Sequence, residues 1–301
     1  MTEEHQETET SALDRRLWAS AALNLGIAIV EFVGGVWAGS LALLADSAHN
    51  LTDTGALGLA ILARRLGRRA PTPRHTYGLK RAEVVAALLN AAGLIAISAL
   101  IGREAVSRLL HPASVRAPVM LIAAAVAVAA NVASVLLLRT HRHDDINVRS
   151  AFLHLAQDAL ASLAVLVAAL FARTPWGSYV DPAAAILIGI VVLRSSISIA
   201  WESLHTLLEA APPGVHVDDI AGEIAGKFDN IRLHHLHVWE VGPGQRVLTA
   251  HMKVGGMNLV EVEAVAAELR SFLREMWGIT HATLEAERNG CGREHLLGEW
   301  K

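Results

Sequence analysis

Six apolar stretches constrain what this chain can become. Each is long enough to cross a bilayer core as a helix, which takes about 20 mostly apolar residues. They are Leu17–Trp37, Leu41–Ala63, Val84–Leu110, Pro118–Leu138, Val148–Ala172 and Pro182–Leu204. Lipid offers the backbone no hydrogen bonds, so each is read as a spanning helix. The fourth and sixth, rich in Ala, Val, Ile and Leu, are the cleanest. The second carries His49 and Asp53, and the fifth carries His154 and Asp158. A carboxylate at bilayer depth costs roughly 2.5–3.5 kcal/mol even on the lenient insertion scale. Residues four apart share a helix face, so each pair can aim both side chains at one point. Two helices bearing the same cost at the same spacing point to a joint site.

Two imidazoles and two carboxylates form a donor set suited to a tetrahedral divalent metal, with zinc bonds of about 2.0–2.2 Å. Cobalt and cadmium can use the same set. Cu(I) would want softer sulfur ligands, and magnesium or calcium would want more oxygens. Ligands bind metal only when deprotonated, and a histidine titrates near pH 6.5, so protons compete with metal at physiological pH. Such a site, open to each side in turn, exchanges metal for protons. Moving one charge across the membrane is worth about 2.3 kcal/mol per 100 mV. One incoming proton offsets half of the electrical work of exporting M²⁺, and two offset all of it. The bland reading of each His/Asp pair is a helix-stabilising contact near the membrane boundary; two pairs on separate spans favour metal.

Other polar residues fall near these faces. Asp46 and Asn147 are candidates to orient ligands, with an interhelical hydrogen bond and a helix cap as their ordinary roles. Glu31 and Glu83 are candidates for proton relay; ion pairing in the bundle and an interfacial position are the ordinary alternatives.

Of the 301 residues, 53% are hydrophobic, and mean hydropathy is +0.39. Charges are unevenly spread, which implies a membrane part and a soluble part. A net charge of -3 gives no case for nucleic acid. The single cysteine, Cys291, excludes an internal disulfide and thiolate clusters. The acidic start lacks the basic region of a signal peptide, so the first span is expected in the mature protein. Arg15, Arg16, a basic run from Arg64 to Arg81, Arg139, Arg142 and Arg149 fall on one side. That bias places both termini in the cytoplasm of a multi-pass plasma-membrane protein. The expected divisions are a cytoplasmic tail (1–16), a six-helix transmembrane domain (17–209), a cytoplasmic α+β domain (210–289) and a C-terminal tail (290–301).

After Ala211-Pro212-Pro213-Gly214 the composition becomes soluble. Val217, Ile220, Ile224 and Phe228 mark a helix. Ile231–Val241 and Arg246–Val254 read as strands around Gly242-Pro243-Gly244. Leu259–Trp277 is a second amphipathic helix, and Ile279–Glu287 alternates as a third strand. Helix, strand, strand, helix, strand suits a small sandwich of one sheet and two helices.

Gly39 to His49 (GSLALLADSAH), Asp53 and Thr54, His75-Thr76-Tyr77-Gly78, Arg81-Ala82-Glu83, and His154 with Asp158 together form a specific pattern. His234-His235-Leu236-His237-Val238-Trp239 adds to it, with His235 where aspartate is usual in an HDLHVW strand. In these segments the chain resembles the cation diffusion facilitator family, and within it the bacterial zinc/cadmium/cobalt exporters. The resemblance implies a six-span homodimer exchanging Zn²⁺ for protons, with a metallochaperone-like cytoplasmic domain. His49, where other members have aspartate, implies the zinc-selective branch. It further implies cytoplasmic metal at His234, His251 and Glu287, with His237 and His281 as additional candidates. His75 matches a loop ligand, though Leu79 stands where some members have a second histidine. His141, His143, Asp144 and Asp145 form a hydrophilic loop cluster, and Cys291 with His295 lies in the tail. Zinc is expected as substrate and as a ligand of the cytoplasmic domain, and no prosthetic group is expected.

Two rival classes differ in what they need. An intramembrane metal hydrolase needs an open coordination position and a general base, and no HExxH motif is present. A membrane metal sensor needs no ionisable site within the bilayer.

Overall fold

The computed structural model describes residues 22–139, 146–174, 176–228, 231–289 and 295–297, without the side chains of 57, 60, 64, 137–139 and 146–154. The first helix, α1, is Ala22–Ala38. It is followed by α2 (Leu41–Gly67), α3 (Ala82–Leu110), α4 (Ala117–Arg139), α5 (Ile146–Phe171) and α6 (Gly177–Leu207). Then come α7 (Val217–Lys227), β1 (Arg232–Glu240), β2 (Arg246–Lys253), α8 (Leu259–Trp277) and β3 (Ile279–Glu287). The chain divides into two compact units: Met1–Gly58 with Leu89–Ser198, and Leu59–Leu88 with Ile199–Lys301.

The first unit is apolar outside and encloses several polar side chains within an apolar core. Phe32, Trp37, Leu100, Ile122, Leu160 and Ile190 are exposed, whereas Glu31, Asp46, Asn50, Asn131, Asp158, Ser162 and Asp181 are enclosed. A bundle bathed in hydrocarbon sorts its side chains this way, because lipid solvates leucine and cannot solvate a carboxylate. Helices α3, α4 and α6 are long and apolar enough to span a membrane, and α1 and Leu155–Phe171 of α5 are shorter apolar segments. Helix α2 has 27 residues, but its polar positions dilute its apolar character. Among the described residues the helices follow the six expected stretches, though residues 17–21 of the first lie outside them; α2 runs on to Gly67, and α6 starts at Gly177 and carries Pro182 inside it. Pro182, in the second turn, removes one backbone hydrogen bond and sets its ring against the carbonyl of residue 178.

Small residues set the packing. A Cβ on Gly34 of α1 would lie 2.6 Å from the Cβ of Ala123 on α4, so only glycine permits that approach. The turn between α1 and α2 uses Gly39 at φ 70. Beyond it, Ser40 donates to Asp181 Oδ1, and the backbone N–H groups of Leu41 and Ala42 donate to the same carboxylate at 2.9 and 3.2 Å. The first N–H groups of a helix have no partner within it. Asp181, brought in by α6, satisfies two of those of α2 and sets a negative charge at the positive end of the helix.

The second unit contains a three-stranded sheet of order β1-β2-β3, with β1 antiparallel and β3 parallel to β2. Ile220 and Ile224 of α7 and Leu269 and Leu273 of α8 pack with Leu236, Leu248 and Met252 of the sheet. Helix α8 is bounded by a capping box between Asn258 and Glu261 and by Gly278 in the left-handed conformation. Strand β1 is interrupted by a bulge between His234 and His237. His235, inside it, has φ 48, a conformation that costs a non-glycine residue about 1–2 kcal/mol.

Candidate metal centre

Helix α2 presents His49 and Asp53 one turn apart, and α5 brings Asp158 to them. His49 Nε2 lies 3.6 Å from Asp53 Oδ2 and 3.7 Å from Asp158 Oδ1. One donor atom from each of the three lies within 4.8 Å of the others. Atoms bound to zinc at 2.0–2.1 Å in a tetrahedron are about 3.3–3.4 Å apart. The two histidine distances therefore need to close by only a few tenths of an ångström. His49 and Asp53 keep side-chain exposures of 20% and 24%, and Asp158 is at 0%. The cluster is thus partly open on the α2 side and enclosed on the α5 side. His154 belongs to α5, one turn before Asp158; its side chain lies outside the described residues, as does that of Asn147.

Asp46 is fully enclosed and accepts from Ser162 Oγ at 2.9 Å. Glu31 is also fully enclosed and accepts from Asn50 Nδ2 at 2.9 Å. Glu83 is half-buried in the first turn of α3, where an acid complements the helix dipole. His75 is exposed in a turn closed by backbone bonds with Thr72. His141, His143, Asp144, Asp145 and Cys291 lie outside the described residues.

The second unit assembles a separate cluster. His234, His251 and Glu287 each place one donor atom within 4.8 Å of the others. His251 Nδ1 is 2.7 Å from Glu287 Oε1, and His234 Nε2 is 3.1 Å from Glu287 Oε2. Two further residues approach: Glu285 Oε2 lies 3.5 Å from His251 Nε2, and the His235 ring centroid lies 4.8 Å from that of His251. Neighbouring side chains on a regular strand point to opposite faces; here the bulge sets the His234 and His235 rings 5.5 Å apart, both against His251. His237 pairs with Thr249 further along β1. His281 is exposed and pairs with Val247, four positions along β3 from Glu285. That separation is about 13 Å at 3.3 Å per residue. The structure therefore gathers three of the five expected residues into one cluster.

Sequence reasoning missed Asn50, Asn131, Ser162, Asp181 and Glu285. The signal for three of them was spacing. Asn50 follows His49, Ser162 stands four residues after Asp158, and Glu285 shares its strand face with Glu287.

A helical bundle with an apolar exterior and a histidine–carboxylate cluster between two of its helices, joined to a small histidine-bearing α+β unit, defines an integral membrane protein that handles cations. Residues 17–208 match the cation efflux transmembrane domain, and residues 212–289 match the cation efflux protein cytoplasmic domain. The chain belongs to the cation efflux, or cation diffusion facilitator, family. It is 36% identical to the zinc transporter ZitB of Yersinia pestis, over 92% of this chain and 89% of the relative. It is 34% identical to the cadmium, cobalt and zinc/H(+)-K(+) antiporter of Bacillus subtilis, over 90% of this chain and 88% of the relative. It is 33% identical to the metal cation efflux system protein CzcD of Cupriavidus metallidurans, over 95% of this chain and 90% of the relative.

Proposed function

We propose that this protein exports divalent metal ions from the cytoplasm in exchange for protons, with Zn²⁺ as the main substrate and Cd²⁺ or Co²⁺ as alternatives. The ligands are His49, Asp53, His154 and Asp158. The observation that carries this reading is the convergence of His49 and Asp53 from α2 with Asp158 from α5 inside a lipid-facing bundle. Acids and an imidazole at near-tetrahedral spacing exchange charge with what they bind: a dication compensates the carboxylates in one state, and protons do so in the other. The names of relatives support the choice of metal, and one names a proton exchange.

In this reading both termini are cytoplasmic, the protein sits in the plasma membrane as a homodimer, and Asp46 and Asn147 orient the ligands. Zinc also binds the cytoplasmic domain at His234, His251 and Glu287. The donor set fits: two imidazoles and a carboxylate already face one another, and the 2.7 Å contact need only open to admit an ion. His237, His281 and His75 are secondary candidates.

Everted membrane vesicles test the reading. Zinc should accumulate when the interior is acidic, and Asp158→Ala or His154→Ala should abolish accumulation. A sensor would give no flux in any variant, and a hydrolase would give turnover without flux.

A further inference from the structure

His235 sits in a backbone conformation that a non-glycine residue avoids, at φ 48. The bulge between His234 and His237 leaves it and Leu236 without a register partner on β2. The C-terminal tail takes up both N–H groups. That of His235 donates to the carbonyl of His295 at 3.3 Å, and that of Leu236 to the carbonyl of Leu296 at 2.7 Å. Leu296 also packs on the core that encloses Leu236, so backbone and side chain together seat the tail on β1. A strained residue held in place by its surroundings marks a functional position. Here the strain fixes a ring. The His235 centroid lies 4.8 Å from that of His251 and 5.5 Å from that of His234, and those two are 5.3 Å apart. A tetrahedral zinc ion bonded to nitrogen at about 2.0–2.1 Å, with each nitrogen about 1.2 Å from its ring centroid, sets imidazole centroids about 5.2–5.4 Å apart. The three observed separations bracket that value.

We propose that His235 is the fourth ligand of the cytoplasmic zinc ion, beside His234, His251 and Glu287, and that the tail at His295 and Leu296 holds it there. This rests on the cytoplasmic zinc site proposed above. The donor atoms already gathered belong to His234, His251 and Glu287. A tetrahedral structural site takes four protein ligands, and a turn of the half-buried His235 ring supplies the fourth. Glu285 is the competing candidate, but it is 69% exposed and meets Nε2 of His251, whereas Glu287 meets Nδ1. A carboxylate on the second nitrogen of an imidazole orients that ligand and leaves the ion to the first. The tail then does more than cover the edge of β1. By holding the bulge it keeps two neighbouring histidines on one side of the strand, where a regular strand would turn one of them away.

The test counts imidazole ligands by zinc X-ray absorption on the full-length protein carrying Asp158→Ala, which disables the proposed membrane site, loaded with one zinc per chain. Three imidazoles should be seen, and two after His235→Gly, with zinc held about tenfold or more weakly in chelator competition. Glycine accepts φ 48 without strain, so the zinc-free thermal midpoint separates loss of a ligand from loss of the bulge. A purely structural role for His235 predicts a lower zinc-free midpoint with an unchanged imidazole count. Two imidazoles before the substitution, or a count that His235→Gly leaves unchanged, overturns the fourth ligand. If zinc is still lost on His251→Ala, the three-residue site stands without His235. Zinc retained with an unaltered spectrum on His251→Ala overturns that site as well. If His235→Gly does not fold, His235→Asn takes its place, since asparagine tolerates the left-handed region. If neither folds, the count with His235 intact decides: three supports the ligand and two refutes it.

Discussion

Asp181 on α6 accepts the backbone N–H of Leu41 at 2.9 Å, so the start of α2 is held by a residue 140 positions later in the chain. The same carboxylate takes Ser40 Oγ and the N–H of Ala42. His49 lies about two turns further along α2, so this cap helps set the height at which α2 presents its donors. Asp181→Ala should lower stability by about 1–2 kcal/mol, the usual cost of losing a helix cap. Asp181→Asn, whose carbonyl can still accept, should cost less. Thermal midpoints of the full-length protein check both. Equal midpoints for Asp181→Ala and wild type would refute the capping role.

Zinc affinity should fall as pH falls. Metal binds deprotonated imidazole, and histidines titrate near pH 6.5. Below that point each ligating histidine lowers apparent affinity by up to about tenfold per pH unit. A proposed site with two histidines should weaken by about thirtyfold between pH 6.5 and 5.5. Competition against a chelator of known pH dependence measures this. A flat profile would mean that imidazole is absent from the site.

The cytoplasmic cluster should tie zinc to stability. A ligand at 100 times its dissociation constant stabilises the form that binds it by about 2.7 kcal/mol. Removing zinc with a chelator should lower the midpoint of the soluble unit in the full chain. His251→Ala should abolish that difference, since His251 contacts both Glu287 and Glu285. A zinc shift that survives His251→Ala would place the ion elsewhere.

His235 offers a test of backbone against side chain. At φ 48 an alanine pays the left-handed penalty and a glycine does not. His235→Gly should therefore be more stable than His235→Ala by about 1 kcal/mol. The reverse order, measured by denaturant unfolding, would show that the bulge relaxes in the variants.

The apolar runs made the spanning helices legible, because lipid leaves a helix little other choice. Leu259–Trp277 and Ile279–Glu287 were legible to the residue from the amphipathic and alternating patterns, and the structure closes the helix with Asn258 and Gly278. The register of α6 was harder. Pro182 marks where the apolar run begins, but the helix had already formed from Gly177. His49, Asp53 and Asp158 were legible because two costly pairs share one spacing. The Ser162 bridge was not, because a single serine in an apolar helix carries no cost that demands a partner. The bulge at His235 was also hidden. Two adjacent histidines on a strand predict opposite faces, and only the left-handed residue brings both rings to His251.

Cobalt absorption of the full-length protein carrying His251→Ala and Glu287→Gln tests most directly whether α2 and α5 hold one ion between them. With the cytoplasmic cluster disabled, a tetrahedral Co²⁺ band should remain, and either His49→Ala on α2 or Asp158→Ala on α5 should remove it. A band that survives both substitutions would contradict a site shared by the two helices.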